Sequence, residues 1–512
     1  MENSKVKIIR TSLNRVEGDL EIKVHLEDGR ISEAWSVGVM FRGIESMLKN
    51  RGPLDGLVIT PRICGICSTA HLTAAAKALD AISGAEVPPN AVMVRNLALM
   101  TEHIQSDMRH GFLMYTTDFA NPAYRHLSLY DEAVKRYEPF KGETVIDVVK
   151  QTKEILETVA IFGGQWPHSS YMVPGGIASN PNTNDIMQCK YLIEKFASWY
   201  EKRVLGCSFE RWQEVRTVTD LDAWLDEKES HFNSELGFYI RYARDIGLDT
   251  IGKGHGNFIS FGQLDLPENS KVRSRTGNSR FLIPAGFAQN TKIEPFDQKK
   301  IAEHVEYSWY QDDDGGKHPF EAKTDPYATG EESRKYSWTK APRYNEMPAE
   351  TGPLAEMILS EHPLLTDMVE TLGASAYVRE FARLVRPAEL IPAMKQWIVE
   401  LDPHEKFYAL SQKITQGQGF GLTQASRGAL GHWVSISDNR IKRYQIITPT
   451  AWNGSPRDGQ SVRGPWEEAL IDTPVKDSDN PVEIGHVIRS FDPCLVCAVH
   501  AVKGEKEHAW KI

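Results

Sequence analysis

The sequence predicts an α+β fold, mainly helical, in which long central helices accompany a small N-terminal antiparallel sheet and the two chain ends meet at a metal site. Three observations carry that prediction. Residues 20–26 alternate apolar and polar, Asp28-Gly29 marks a turn, and 31–39 alternates back, the pattern of a hairpin. Several longer windows repeat apolar residues at helical spacing. Finally, two Cys-x-x-Cys pairs, Cys64-Gly-Ile-Cys67 and Cys494-Leu-Val-Cys497, stand near opposite ends, each followed by a histidine (His71, His500).

After Cys67, the alanine-rich run 71–82 reads as helix. Pro88-Pro89-Asn90 punctuates the chain before a long helix with Met93, Leu97, Met100, Ile104 and Met108 on one face. Helical patterns recur at about 144–161, 183–205 and 362–386. Residues 311–353 turn polar, with Asp312-Asp313-Asp314-Gly315-Gly316, and predict a long surface excursion or insertion. A short β-like stretch, 433–448, precedes the second cysteine pair. There are no repeats. Because one site needs cysteines from both ends, residues 1–500 are expected to form one domain, with 501–512 a tail.

Composition narrows the function classes. The chain has 512 residues, 41% hydrophobic and 25% charged, as in an ordinary globular protein. A net charge of −10 argues against nucleic-acid binding. No apolar run reaches the roughly 18–20 residues that span a bilayer, and the N-terminus lacks an apolar signal core. The expected location is the cytoplasm, with membrane association only through partners. Six cysteines in so long a chain suit a reducing compartment. Cys189, in a stripe with Ile186, Ile193, Phe196 and Tyr200, reads as a buried inert thiol, and Cys207 reads likewise.

Four converging thiolates make a soft-metal site, for zinc, nickel or iron. Zinc ribbons place their two knuckles some 15–20 residues apart, whereas here almost the whole chain lies between the pairs. Spacing alone leaves a structural zinc site open.

The flanks of the pairs go further. Arg62-Ile-Cys64-Gly-Ile-Cys67-Ser-Thr-Ala-His71 and Asp492-Pro-Cys494-Leu-Val-Cys497-Ala-Val-His500 resemble the two signatures of the nickel–iron hydrogenase large subunits. In the same order come Arg15-Val-Glu17-Gly18, Gly163-Gly-Gln-Trp-Pro-His168, Pro174-Gly-Gly176, Arg427-Gly-Ala-Leu430 and Pro449-Thr-Ala-Trp-Asn453. The resemblance spans about 8–500 and leans towards the uptake-type branch.

It implies reversible cleavage of dihydrogen to protons and electrons at a nickel–iron centre whose iron is Fe(CO)(CN)2. Cys64, Cys67, Cys494 and Cys497 would bind nickel, and Cys67 and Cys497 would also bridge to iron. Cys494 would take the first proton and Glu17 would pass it outward. Arg427 and Thr450 would contact the cyanides, Asp492 would orient Arg427, and His71 would donate to the bridging thiolate. Glu45, the main chain at Ile446 and His500 would hold Mg2+. The chain departs from the family in two places: Ser426 stands where proline often precedes the arginine, and Ser106-Asp107-Met108 stands where many members carry His-Asp-His, which leaves Asp107 alone as a candidate near the metals.

The resemblance also implies partners. Once the metal ligands are set aside, only Cys189 and Cys207 remain, and a cubane cluster needs about four cysteines. A cysteine-rich second chain, the iron–sulfur small subunit of the family, is therefore expected, within a higher oligomer of heterodimers. A processing endopeptidase, acting with maturation proteins, would remove 501–512 after His500. The alternatives are a hydrogenase-like dihydrogen sensor, the related complex I subunit, which lacks the cysteine pairs, and a structural zinc protein.

Overall fold

The N-terminal alternation forms a three-stranded antiparallel sheet: β1 (Lys7–Ser12), β2 (Leu20–Glu27) and β3 (Arg30–Gly38), in that order. Leu20, Ile22, Val24 and Leu26 point inward while the residues between them stay half-exposed, so the period of two fixes the register. The computed structural model describes residues 7–330 and 333–498.

Helix α1 (Ser68–Ser83) follows the first cysteine pair directly, and α2 (Pro89–Arg109) starts with proline in its first turn, where the missing N–H costs nothing. The apolar stripe of α2 is buried as predicted. Its other faces are buried too, with Glu102, His103 and Asp107 inside, so α2 is a central helix carrying polar groups into the core. Helix α3 (Thr183–Trp199) opens on an Asn182/Asp185 capping box and holds Cys189 fully buried, where burial pushes the thiol up to about 12. A buried thiol held protonated in this way fits the inert reading.

Strands β4 (Asn257–Asp265) and β5 (Phe281–Gln289) pair antiparallel. The helix expected over 362–386 is instead two. One (Pro363–Leu372) ends at Gly373, and α4 (Ala376–Glu400) then runs through Pro387 and Pro392. An interior proline costs about 3 kcal/mol, which is why the sequence reading stopped short. Burial of Leu384, Ala388, Leu390, Ile391 and Met394 around those prolines offsets it.

The C-terminal third holds a sheet that the single β-like stretch understated: β6 (Gly417–Ala425), β7 (Gly428–Ser437) and β8 (Arg440–Ile447). Asp438-Asn439 joins β7 to β8 with both residues at positive φ, as a tight hairpin needs. Glycine-rich β6 has poor strand propensity, and the reason for its composition is packing. A Cβ on Gly421 would lie 1.8 Å from the Ala74 carbonyl, so the strand lies directly on alanine-rich α1.

The polar stretch 311–353 divides: residues 311–330 lie mostly at the surface, as expected, whereas 335–353 pack inward. The strand Ala341–Tyr344 pairs with Ile301–His304, Trp338 donates its N–H to the Gly38 carbonyl at 2.9 Å, and Phe41 stacks on Trp338 at 4.3 Å. The main apolar cluster runs from Ile9 to Leu495, and a second gathers around Phe261, Trp433 and Trp452. Among the described residues no helix is long and apolar enough to cross a membrane.

Candidate metal centre

Main-chain pairing brings the chain ends together. Glu17 bridges Cys494 in parallel register: Leu495 N–H donates to the Glu17 carbonyl at 2.6 Å, and Glu17 N–H donates to the Pro493 carbonyl at 3.3 Å. Gly18 sits at φ 88°, and a Cβ there would come 2.9 Å from Val496 N, so the contact requires glycine. The Arg42 guanidinium donates to the carbonyls of both Ile63 and Val496, which ties the two cysteine segments to each other.

The result is a soft-donor cluster. The sulfurs of Cys64, Cys67 and Cys494 lie within 4.8 Å of one another, all buried, with Cys64 Sγ 3.6 Å from Cys494 Sγ. Among the described residues it is the one such cluster of histidine, cysteine and carboxylate donors. Cys497 lies on the short helix Leu495–Ala498, but its side chain falls outside the described residues, as does His500.

Arg427 occupies the two-residue turn between β6 and β7, so the hairpin aims it. Its Nη2 lies 2.9 Å from Asp492 Oδ1, and its Nε donates to the Asp492 carbonyl at 3.0 Å. Burial alone would lower its pKa, but Asp492 and the three sulfurs outweigh that and hold it well above the ordinary value. Asp492, at φ 55°, also faces His110 Nδ1 at 3.0 Å, and His110 Nε2 lies 2.8 Å from the Arg489 carbonyl. Burial would raise the Asp492 carboxyl, yet Arg427 and His110 carry it well below the usual range. Thr450 Oγ1 accepts the Cys494 N–H at 3.0 Å.

Glu17 is half-buried. Desolvation first, then the neighbouring Cys64, raises its carboxyl against the pull of Arg427. His71 is buried on α1, its Nδ1 3.1 Å from His432 Nε2. Glu45 Oε1 accepts the Ile446 N–H at 3.0 Å, while Oε2 takes a bond from Thr324 and lies 3.8 Å from Lys340 Nζ. Lys340 Nζ is also 3.8 Å from Glu303 Oε2, a second buried carboxylate.

The structure puts Asp107 on Arg386, not on Arg427. Arg386 donates to Asp107 at 2.7 and 2.8 Å, to Glu356 at 3.0 Å and to the Ser426 carbonyl at 2.8 Å, so Asp107 acts on the Arg427 turn at one remove. Breaking such a buried set strands a charge, at roughly 3–5 kcal/mol. Ser426, the departure from the family pattern, faces His103 Nδ1 at 3.2 Å. Glu102 accepts the N–H groups of Thr69 (2.7 Å) and Ala70 (3.0 Å) at the start of α1, and burial pushes its carboxyl up to about 7. Sequence reasoning missed Glu102, His103, His110, Arg386 and His432. For the four on or next to helices, the one signal was polar residues in an otherwise apolar helical run, which a solvent face explains equally well; His432, on β7, carried no such signal.

Comparison with known proteins agrees with this geometry. The family model described as "Nickel-dependent hydrogenase" matches residues 42–129 and 143–500. The chain is 32% identical to the periplasmic [NiFeSe] hydrogenase large subunit of Desulfomicrobium baculatum, over 100% of this chain and 98% of that one. It is 27% identical to the uptake hydrogenase large subunit of Rhodobacter capsulatus, over 99% and 97%. The solved Ni-Fe-Se hydrogenase of Desulfovibrio vulgaris Hildenborough superposes with a TM-score of 0.82 at 30% identity, covering 97% of this chain and 100% of that one. With its two terminal cysteine segments folded into one buried cluster, the chain belongs to the nickel-dependent hydrogenase family, as a large subunit that cleaves dihydrogen.

Proposed function

We propose that this chain is the catalytic subunit of an uptake-type nickel–iron hydrogenase, oxidising dihydrogen and passing electrons to an iron–sulfur small subunit. The observation that carries it is the buried sulfur cluster drawn from both chain ends beneath a paired arginine. The donor set fits the group. Three soft thiols converge, and Arg427 Nη1 is buried with no hydrogen-bond partner among the described residues, a leftover donor of the kind an anionic cyanide would take. Cys64, Cys67, Cys494 and Cys497 would hold nickel, with Cys67 and Cys497 shared with Fe(CO)(CN)2. When bound, that group supplies a soft Lewis acid at which dihydrogen is polarised.

The protein's own part is proton handling. Cys494 Sγ takes the first proton, and Glu17, whose main chain pairs with that of Cys494 and whose carboxyl is raised by burial and by Cys64, passes it on towards solvent. Arg427 and the Thr450 hydroxyl hold the cyanides, Asp492 keeps the guanidinium in place, and His71 donates to the bridging thiolate. Glu45, the Ile446 main chain and His500 would hold Mg2+. Glu45 offers a buried carboxylate to that hard cation, with Lys340 Nζ 3.8 Å from both Glu45 and Glu303 beside it.

Residues 1–500 are read as one domain, working in the cytoplasm with any membrane association supplied by partners, although one relative is named periplasmic. A higher oligomer of heterodimers is the expected assembly. Maturation by an endopeptidase would end the chain at His500. Mass spectrometry of nickel-loaded protein is expected to find that terminus, and intact Ile512 in active protein contradicts it. The sensor alternative draws no support from the hydrogenases named above.

The function is tested by dihydrogen-driven reduction of a viologen dye. The complex with the small subunit is expected to turn over, and the same chain with Cys494→Ser is expected to be inactive. Equal turnover by the two contradicts the proposal.

A further inference from the structure

Behind His71 lies a file of buried hydrogen bonds. His71 Nδ1 is 3.1 Å from His432 Nε2, and His432 Nδ1 is 3.0 Å from the Tyr444 hydroxyl. None of the three is more than 4% exposed. The β7–β8 hairpin sets the spacing: Val434 lies opposite Tyr444 and His432 opposite Ile446, so His432 and Tyr444 are diagonal neighbours on one face. The Tyr444 ring is itself pinned, since a Cβ on Gly56 would meet it at 2.9 Å.

A neutral imidazole carries a single N–H, so each bond in the file dictates the next. The Tyr444 phenol has one hydrogen to donate, and besides His432 it meets the Thr60 side chain. If it donates to His432 Nδ1, then His432 carries its hydrogen on Nε2 and donates to His71 Nδ1. His71 is thereby left with its own hydrogen on Nε2, the opposite edge of the ring. The reverse polarity would place that hydrogen on Nδ1 and leave Nε2 as a lone pair. On the reading of His71 as a donor to the bridging thiolate, that would set a lone pair against a sulfur anion.

We infer that Tyr444 is a positioning residue. Acting through His432, it fixes His71 as the Nε2–H tautomer and so keeps a donor turned towards the cysteine sulfurs. Partners at this remove set tautomer and ring orientation in metal sites generally. The inference rests on the proposed role of His71, and the test separates the two.

Tyr444→Phe removes the hydroxyl and keeps the ring. In the complex with its partner, at equal nickel content, this variant is expected to shift the infrared bands of metal-bound carbon monoxide and cyanide and to lower dye reduction about tenfold. His432→Gln keeps an N–H donor near the Nε2 position without needing the hydroxyl. In that background Tyr444→Phe is expected to add no further shift. Bands unmoved by Tyr444→Phe, or moved as far in the His432→Gln background, overturn the inference. His71→Ala distinguishes the levels. Bands shifted there but not by Tyr444→Phe overturn the Tyr444 role alone, and bands unmoved by His71→Ala overturn both.

Discussion

Arg427→Lys is expected to lower turnover of the loaded complex by about 100- to 1,000-fold, the effect typical of losing one preorganised donor at a reacting centre. Lysine keeps the charge but not the geometry. Arg427 spends Nη2 on Asp492 Oδ1 and Nε on the Asp492 carbonyl, and still has Nη1 in reserve. A single ammonium cannot make both contacts and present a third donor in a fixed direction. The variant should fold, since the positive charge beside Asp492 remains. Dye reduction measured per bound nickel checks it, and near-wild-type turnover would show that the guanidinium is only a structural brace.

Glu17→Gln is expected to cut dihydrogen oxidation by about 100- to 10,000-fold, the span of a lost general acid–base group. It should leave the cluster assembled, because the contacts of residue 17 with Cys494 and Leu495 are made by its main chain. The carboxyl is raised by desolvation and by neighbouring Cys64, which suits a group that must accept a proton inside the fold and release it outside. Glutamine keeps the shape and cannot carry the proton. Unchanged infrared bands with lost turnover is the expected pair of results, and wild-type turnover would move the proton route elsewhere.

Much of this was legible in the sequence because covalent order carried it. The hairpin of β2 and β3, the alanine-rich α1, the stripe of α2, and the convergence of the Cys64 and Cys494 segments all follow from local pattern plus the demand that donors meet. What escaped was decided by tertiary packing. Gly421 looks like a strand breaker until the Ala74 carbonyl is seen against it, and Pro387 looks like a helix end until the surrounding core is counted. Lys335 and Lys340 fall in the polar stretch 311–353, yet both are buried, Lys335 on Asp312 and the Val305 carbonyl and Lys340 between Glu45 and Glu303. Asp107 shows the limit most clearly: its place in the chain suggested the metals, and its actual partner, Arg386, comes from a helix far along the sequence.

The same physical point explains why α2 matters. Glu102 holds the first turn of α1, His103 meets Ser426, Asp107 holds Arg386 where it donates to the Ser426 carbonyl, and the following turn delivers His110 to Asp492. One buried helix thus braces three segments that approach the cluster from different parts of the chain. Polar groups survive there because each is hydrogen-bonded or paired, the condition for burying them at all.

The central claim is that the cluster of Cys64, Cys67 and Cys494, completed by Cys497, holds a nickel–iron group. Infrared spectroscopy of the complex purified with its small subunit tests it most directly. The account predicts one band from metal-bound carbon monoxide and two from cyanide, all absent when Cys494 is replaced by serine. A nickel-free protein that has been cut at His500, holds zinc in this cluster and shows none of these bands would contradict it.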